Sequence, residues 1–370
     1  MSAAAEITPF RVDIAQGDLD DLDDRLRRAR WTTPAPEQSS DYGITVDEVR
    51  QWTDHWRNRF DWRTLERRIN SYPQFTTEID GQQIHFLHIR SASDNGRALI
   101  LTHGWPGSIV EYLDVIDPLT AAGFDLVIPS IPGFGFSGPT TARGWNVSRI
   151  ANAWVELMRR LGYDRYGAVG NDAGAMISPE VGRLDPEHVI GVHVCQVYSF
   201  PSGDPSEFAD LSDDEAAAFE RLNWFWANKG AFNVLQSQSP QTLAHALADS
   251  PAGVLAWNGQ LLAETDDDFL VSNVALYWLT RTTGSSIQLY YEMAKETERP
   301  DGRTTVPLAL FGSTNDFHGI RRLADRDHAN IVSWNLCDDS GHYTAHQRPE
   351  ALIADIVRFF ADVDPTSANA

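Results

Sequence analysis

Tyr166-Gly167-Ala168-Val169-Gly170-Asn171-Asp172-Ala173-Gly174 decides how this chain of 370 residues is read. Its first five residues make a short strand, and the stretch from Ala173 to Arg183 reads as a helix. Between them, Gly170-x-Asp172-x-Gly174 leaves room only for a sharp turn flanked by small residues. That is the G-x-nucleophile-x-G form of a nucleophile elbow, with aspartate where esterases place serine. The helix start that follows favours a negative side chain, so the pKa of Asp172 is expected to be lowered and its carboxylate kept ionised. The plainer alternative is an aspartate that only caps a helix in a glycine turn.

Outward from the elbow the pattern repeats. Upstream, Ala98–Thr102 is a buried strand ending in His103-Gly104-Trp105-Pro106-Gly107-Ser108, and Phe124–Pro129 is a second strand ending in a glycine-rich loop. Asn146 caps a helix that carries Val147, Ile150, Trp154, Leu157, Met158 and Leu161 on one face. Downstream, Val189–Val197 is a strand. The alternation is then interrupted by an aromatic, mainly helical stretch over 199–300. It resumes at Val306–Phe311 and Ile331–Cys337 and closes with a helix over Pro349–Phe360. Alternating strands and helices specify an α/β fold, a mostly parallel sheet with helices on both faces. The helical insertion reads as a lid over the carboxyl ends of the strands, where open α/β sheets bind ligands.

The first ninety residues differ. Thr45 caps a helix with Glu48 as capping-box partner, and that helix carries Val49, Trp52, Trp56 and Phe60 as one stripe that must pack on something. Phe75 to Arg90 alternates around an Asp80-Gly81 hairpin turn. The expected organisation is therefore an N-terminal meander over 1–90, a core over 91–198 and 301–370, and a helical lid over 199–300.

Three turns carry the chemistry. Besides Asp172, Ser340-Gly341-His342-Tyr343 follows the last strand, and in the α/β-hydrolase fold the order nucleophile, acid, histidine puts the histidine there. His346 is the rival four residues on. The loop after Ala98–Thr102 would supply one backbone N–H of an oxyanion hole and the residue after the nucleophile the other, here Trp105 and Ala173. His103 reads as a structural hydrogen-bonder. Asp316, just beyond the strand at Leu310-Phe311, is the expected carboxylate to orient His342, with Asp338 and Asp339 as competitors. An aspartate nucleophile displaces a leaving group at sp3 carbon and forms an alkyl ester, which histidine-activated water then hydrolyses. Epoxides and alkyl halides both suit that sequence. No metal or cofactor is implied.

Composition narrows the partners. With 52 acidic against 30 basic side chains, the net charge of -22 argues against nucleic acid or an anionic membrane as partner. The 2 cysteines make no disulfide framework. No signal peptide or apolar run of membrane length is visible, so a cytoplasmic protein is expected. Twelve Trp, 17 Phe and 10 Tyr are many for so acidic a chain. Trp224, Phe232, Trp278 and neighbouring lid aromatics are expected to wall an apolar substrate pocket, and a Trp-rich face leaves a homo-oligomer open.

Over nearly its whole length the chain resembles the epoxide hydrolases of the α/β-hydrolase fold, in particular the microsomal-type branch with its N-terminal meander. The resemblance rests on Phe10-Arg11-Val12-Asp13-Ile14, on Pro73 to Gly81, on His103 to Ser108, on Tyr277-Trp278-Leu279-Thr280 and on Gly284 to Glu292. It implies Asp172 as nucleophile, His342 as base and Tyr290 as the lid acid that hydrogen-bonds the epoxide oxygen, with Tyr291 as the neighbour in an alternative register. It also implies a small-molecule epoxide as substrate and a soluble member without the branch's membrane anchor, and the aromatic-walled pocket suits a bulky hydrophobic epoxide. Two departures stand out. Ala173 occupies the place where the family usually carries Trp, and Phe232 falls where its first lid tyrosine would lie. Alternatives that keep the same residues are a hydrolytic dehalogenase, an enzyme that opens or cyclises a natural-product epoxide, and an inactive ligand-binding homologue.

Overall fold

The computed structural model describes residues 6–93, 96–296 and 302–364. Of the expected segments, 1–5, the last four lid residues 297–300, and 94–95, 301 and 365–370 of the core lie outside the described residues. Nine strands form one sheet: β1 (Thr8–Phe10), β2 (Gln74–Ile79), β3 (Gln82–Ile89), β4 (Arg97–Thr102), β5 (Phe124–Pro129), β6 (Tyr166–Gly170), β7 (Val189–Val194), β8 (Leu308–Ser313) and β9 (Ile331–Cys337). Their order is β1-β2-β3-β5-β4-β6-β7-β8-β9. From β5 to β9 every pairing is parallel. Leu99, Ile100, Leu101, Leu126, Val127 and Ala168 are wholly buried, as strands covered on both faces must be.

The N-terminal strands extend this same sheet. The β2–β3 hairpin turns at Asp80 and Gly81, both at positive φ (51° and 74°). That is the twist a two-residue turn needs, and it is why an Asp-Gly pair stands there. β3 then pairs antiparallel with β5, from Phe86 opposite Pro129 to Ile89 opposite Leu126, with Ile84 and Phe86 fully buried. The helix Val46–Asn58 starts with the expected capping box, Thr45 accepting from the Glu48 N–H while the Glu48 carboxylate accepts from the Thr45 N–H at 2.7 Å. Its Trp52 and Trp56 are buried. The Trp52 ring lies so close to Gly259, on the helix Pro251–Leu262, that a Cβ there would sit 2.5 Å from it. The aromatic stripe of the first block is thus spent against the insertion between β7 and β8.

That insertion holds the helices Asp213–Asn228, Ala231–Gln238, Pro240–Leu247, Pro251–Leu262, Asp267–Leu279, Thr283–Ser286 and Gln288–Lys295. Among the described residues, no helix is long and apolar enough to cross a membrane, and no three His, Cys, Asp or Glu side chains cluster as a metal site would need.

Candidate active site

The parallel strands deliver the chemistry at their carboxyl ends. β6 runs straight into the turn carrying Asp172, whose backbone is held at φ 52° and ψ −120°, a conformation a non-glycine residue rarely adopts. The flanking glycines explain how the turn closes. A Cβ on Gly170 would lie 2.0 Å from the Gly174 carbonyl oxygen, and one on Gly174 would lie 1.8 Å from that of Thr102. Only glycine lets the strand, the turn and the helix Ala173–Leu184 approach so closely.

Asp172 is gripped on one side. Its Oδ1 accepts from the Trp105 N–H at 2.9 Å, and the Ala173 N–H also favours its charged form. Its Oδ2 lies 3.6 Å from His342 Nε2. His342, in the turn after β9, receives Asp316 on its other face, with Nδ1 to Asp316 Oδ2 at 2.8 Å. Asp316 follows β8. All three side chains keep between 20% and 24% exposure, so they are partly sheltered yet reachable.

The electrostatics of this trio differ from the sequence expectation in one respect. Removal from water, opposed by His342 and by the Trp105 and Ala173 N–H groups, leaves the Asp172 carboxyl above its ordinary value, not below it. The helix start helps, but it does not outweigh desolvation. For His342, burial works against the charged form, yet the Asp316 charge and hydrogen bond together with Asp172 raise it to about 9. Asp316 is held below the usual carboxylate range: burial opposes ionisation, but His342 and the Gln196 hydrogen bond prevail.

Other residues named from the sequence fall on either side of this site. Tyr290 is buried and meets the Trp105 ring edge-on at 5.7 Å, and Phe232 stacks on Trp105 at 5.7 Å and meets Tyr290 edge-on at 5.8 Å. These three rings make an apolar wall joining the loop after β4 to the insertion. Burial, reinforced by the Asp172 charge, pushes the Tyr290 phenol well up, so it holds its proton. Tyr291 points elsewhere, under Lys295. His103 is buried, bonds to the Gly104 carbonyl of its own loop and accepts from the Ile131 N–H after β5, and is kept neutral by burial, which lowers it to about 4.

Four readings are corrected or set aside by position. Trp224 is 56% exposed on the helix Asp213–Asn228 and takes no part in the ring wall. Trp278 sits beneath Arg25 and lines a separate cavity of about 490 Å³ with Asp21, Ala244 and His245, not the crevice of Asp172. His346 is ion-paired between Asp114 and Asp266 and stacked on Phe269. Asp338 and Asp339 lie in the exposed turn after β9, Asp339 facing Arg348 at 3.6 Å.

Two residues escaped the sequence reading. Gln196, just past β7, accepts from the Asp172 N–H at 2.9 Å and donates to Asp316 at 3.0 Å, tying elbow to acid. Glu111 lies buried beside the site, pushed up to about 8 by burial. Neither belongs to a motif. The one available signal was position, since Gln196 directly follows a core strand end and Glu111 lies a few residues beyond Trp105, in the stretch after β4.

Residues 7–112 match the family described as the epoxide hydrolase N terminus, and residues 97–275 match the alpha/beta hydrolase fold. A "Putative epoxide hydrolase" of Stigmatella aurantiaca is 36% identical over 95% of this chain and 84% of its own length. Epoxide hydrolase 1 of Sus scrofa is 28% identical over 96% of this chain and 90% of its own. Among solved structures, the Aspergillus niger epoxide hydrolase superposes with a TM-score of 0.85 at 29% identity, covering 98% of both chains. The juvenile hormone epoxide hydrolase of Bombyx mori superposes at 0.90, covering 98% of this chain and 96% of that one; at 24% identity it speaks for the fold. The chain belongs to the epoxide hydrolases of the α/β-hydrolase fold, hydrolases that act on ether bonds.

Proposed function

We propose that this protein opens a bulky hydrophobic epoxide to a vicinal diol through an ester on Asp172, with His342 as the base, Asp316 orienting it and Tyr290 as the proton donor. The observation that carries this reading is the placement of Asp172: Oδ1 on the Trp105 N–H at 2.9 Å and Oδ2 3.6 Å from His342 Nε2. One oxygen is held where an oxyanion will form, and the other is left to attack.

In the first half-reaction Asp172 Oδ2 attacks an epoxide carbon, the C–O bond of the ring breaks, and the departing oxygen takes the Tyr290 proton. Phe232 has no hydroxyl to share that task, so Tyr290 is the donor of the ring wall. Ester formation cancels the Asp172 charge that helped hold His342 protonated. The His342 proton returns through water to the Tyr290 oxygen, leaving a neutral imidazole. In the second half-reaction that imidazole takes a proton from water as the water oxygen bonds to the ester carbonyl carbon. The oxyanion on Oδ1 is met by the N–H groups of Trp105 and Ala173. Collapse breaks the ester bond, the alkoxide takes the His342 proton, the proton left on the new Asp172 carboxyl passes to His342 and restores the starting pair, and diol leaves. Residues 199–300 act as the lid, 91–198 with 301–370 as the catalytic core, and 1–90 as the wrap over both. The apolar wall of Trp105, Phe232 and Tyr290 suits a bulky hydrophobic substrate.

Incubation with styrene oxide and, separately, with a chloroalkane tests the reaction class. Diol from the first and no chloride from the second is expected. Chloride release without diol would overturn the reading.

A further inference from the structure

A buried carboxyl group without hydrogen-bond partners costs folding free energy, and such a group is placed next to the site just described. Glu111 is 1% exposed, and among the described residues neither of its carboxyl oxygens has a hydrogen-bond partner. Tyr112 and Asn171 stand close enough to favour its charged form, though neither meets hydrogen-bond geometry with it and the Tyr112 hydroxyl donates to the Thr102 carbonyl. Two further buried polar atoms close by are equally unpaired: the Asn171 carboxamide oxygen, adjacent in sequence to Asp172, and the Tyr343 hydroxyl, adjacent to His342. Gly107 locates the cluster. A Cβ on it would lie 2.6 Å from Glu111 Oε2 and 3.1 Å from the Tyr343 ring. The Tyr343 ring in turn meets His342 edge-on at 4.9 Å.

Four unpaired polar atoms from three residues, all near His342 and the elbow, form the setting in which proteins hold an internal water. We propose that Glu111 is a positioning residue for ester hydrolysis, holding with Asn171 and Tyr343 the water that His342 turns against the Asp172 ester. This rests on the Asp172 ester of the preceding section. Ring opening needs no water, so Glu111 is expected to serve the second half-reaction alone. In that step the held water loses a proton to His342 Nε2 and gives its oxygen to the ester carbon, and Glu111 neither gains nor loses a covalent bond. Glycine at position 107 follows from the same arrangement, because any side chain there would occupy the carboxyl's place.

The experiment compares the full-length wild type with Glu111→Leu, Glu111→Gln and His342→Gln, each mixed rapidly with styrene oxide. The readouts are the mass of the peptide carrying Asp172, the rate of adduct formation and kcat. His342→Gln is the control in which adduct must accumulate. Glu111→Leu is expected to form the adduct at close to the wild-type rate, to accumulate it, and to lose between about 10- and 100-fold in kcat. Glu111→Gln, which keeps a polar group of the same shape, is expected to recover part of that loss. Thermal unfolding separates this from a structural role, because replacing an unpaired buried carboxyl by leucine should leave Tm unchanged or raise it. Unchanged kcat in Glu111→Leu overturns the proposal, and so does a parallel fall in adduct formation, kcat and Tm. No adduct even in His342→Gln would instead contradict the ester itself, and the role of Glu111 with it.

Discussion

Gln196 donates from Nε2 to the Asp316 carboxylate at 3.0 Å, on the same oxygen that His342 Nδ1 meets at 2.8 Å. Through its Oε1 it also accepts the Asp172 N–H, so one buried carboxamide spans the acid and the elbow. Gln196→Leu should leave the Asp172 N–H unpaired and cost about 1–3 kcal/mol of stability. It should also slow turnover by about 10-fold or more, because the nucleophile and the carboxylate that orients His342 both lose a fixed reference. Chemical denaturation and kcat on styrene oxide check both. Unchanged kcat would confine Gln196 to a structural role.

Tyr290 and Phe232 share the Trp105 ring, but only one of them carries a proton. Tyr290→Phe should reduce the rate of Asp172 adduct formation by on the order of 10²-fold. Phe232→Tyr should restore a second hydroxyl on the same wall and speed ring opening. Rapid-mixing measurement of adduct formation reads both variants. A Tyr290→Phe enzyme of near-normal rate would move the donor elsewhere.

Asp172 helps hold His342 near 9. Asp172→Asn removes one negative neighbour and so disfavours the imidazolium, and the His342 value should fall. Histidine NMR over pH 5 to 10 reads the shift directly. A rise, or no change, would mean that Asp316 alone sets it.

His346 makes a second histidine–carboxylate pairing, only partly buried, with Nδ1 3.1 Å from Asp114 and Nε2 2.6 Å from Asp266. Burial works against its charged form, but the two carboxylates prevail and raise it. Its contribution to stability is therefore fully present below the ordinary histidine value of about 6.5 and is lost as pH rises through its higher folded value. Asp114, pulled down to about 2 by the His346 hydrogen bond against burial and with help from Arg68, loses its contribution only as pH falls through that value. His346→Gln should therefore cost stability, on the order of 1 kcal/mol, at pH 6 and much less at pH 10. Thermal unfolding at the two pH values decides it.

The elbow was legible because tight backbone approach leaves a local trace: Gly170 and Gly174 are in the sequence for steric reasons that the geometry repeats. His342 and Asp316 could be placed because the parallel fold delivers them at strand ends, and counting strands is a sequence operation. Gln196 and Glu111 could not be found this way, since each acts across distant chain segments and neither lies in a motif. The Trp224 and Trp278 assignments failed for a related reason. A lid helix presents several faces, and richness in aromatic residues does not say which face turns inward. The stretch Phe75 to Arg90 reads from sequence as a two-stranded hairpin, yet its pairing with β5 depends on register between segments about forty residues apart.

One turnover in heavy-oxygen water, followed by mass measurement of the peptide carrying Asp172 and of the diol, tests the covalent account most directly. Water attacks the ester carbonyl, so the account predicts label in the Asp172 carboxyl and none in the diol of the first turnover. Label in the diol with Asp172 unlabelled would show that water opens the epoxide directly, and would contradict it.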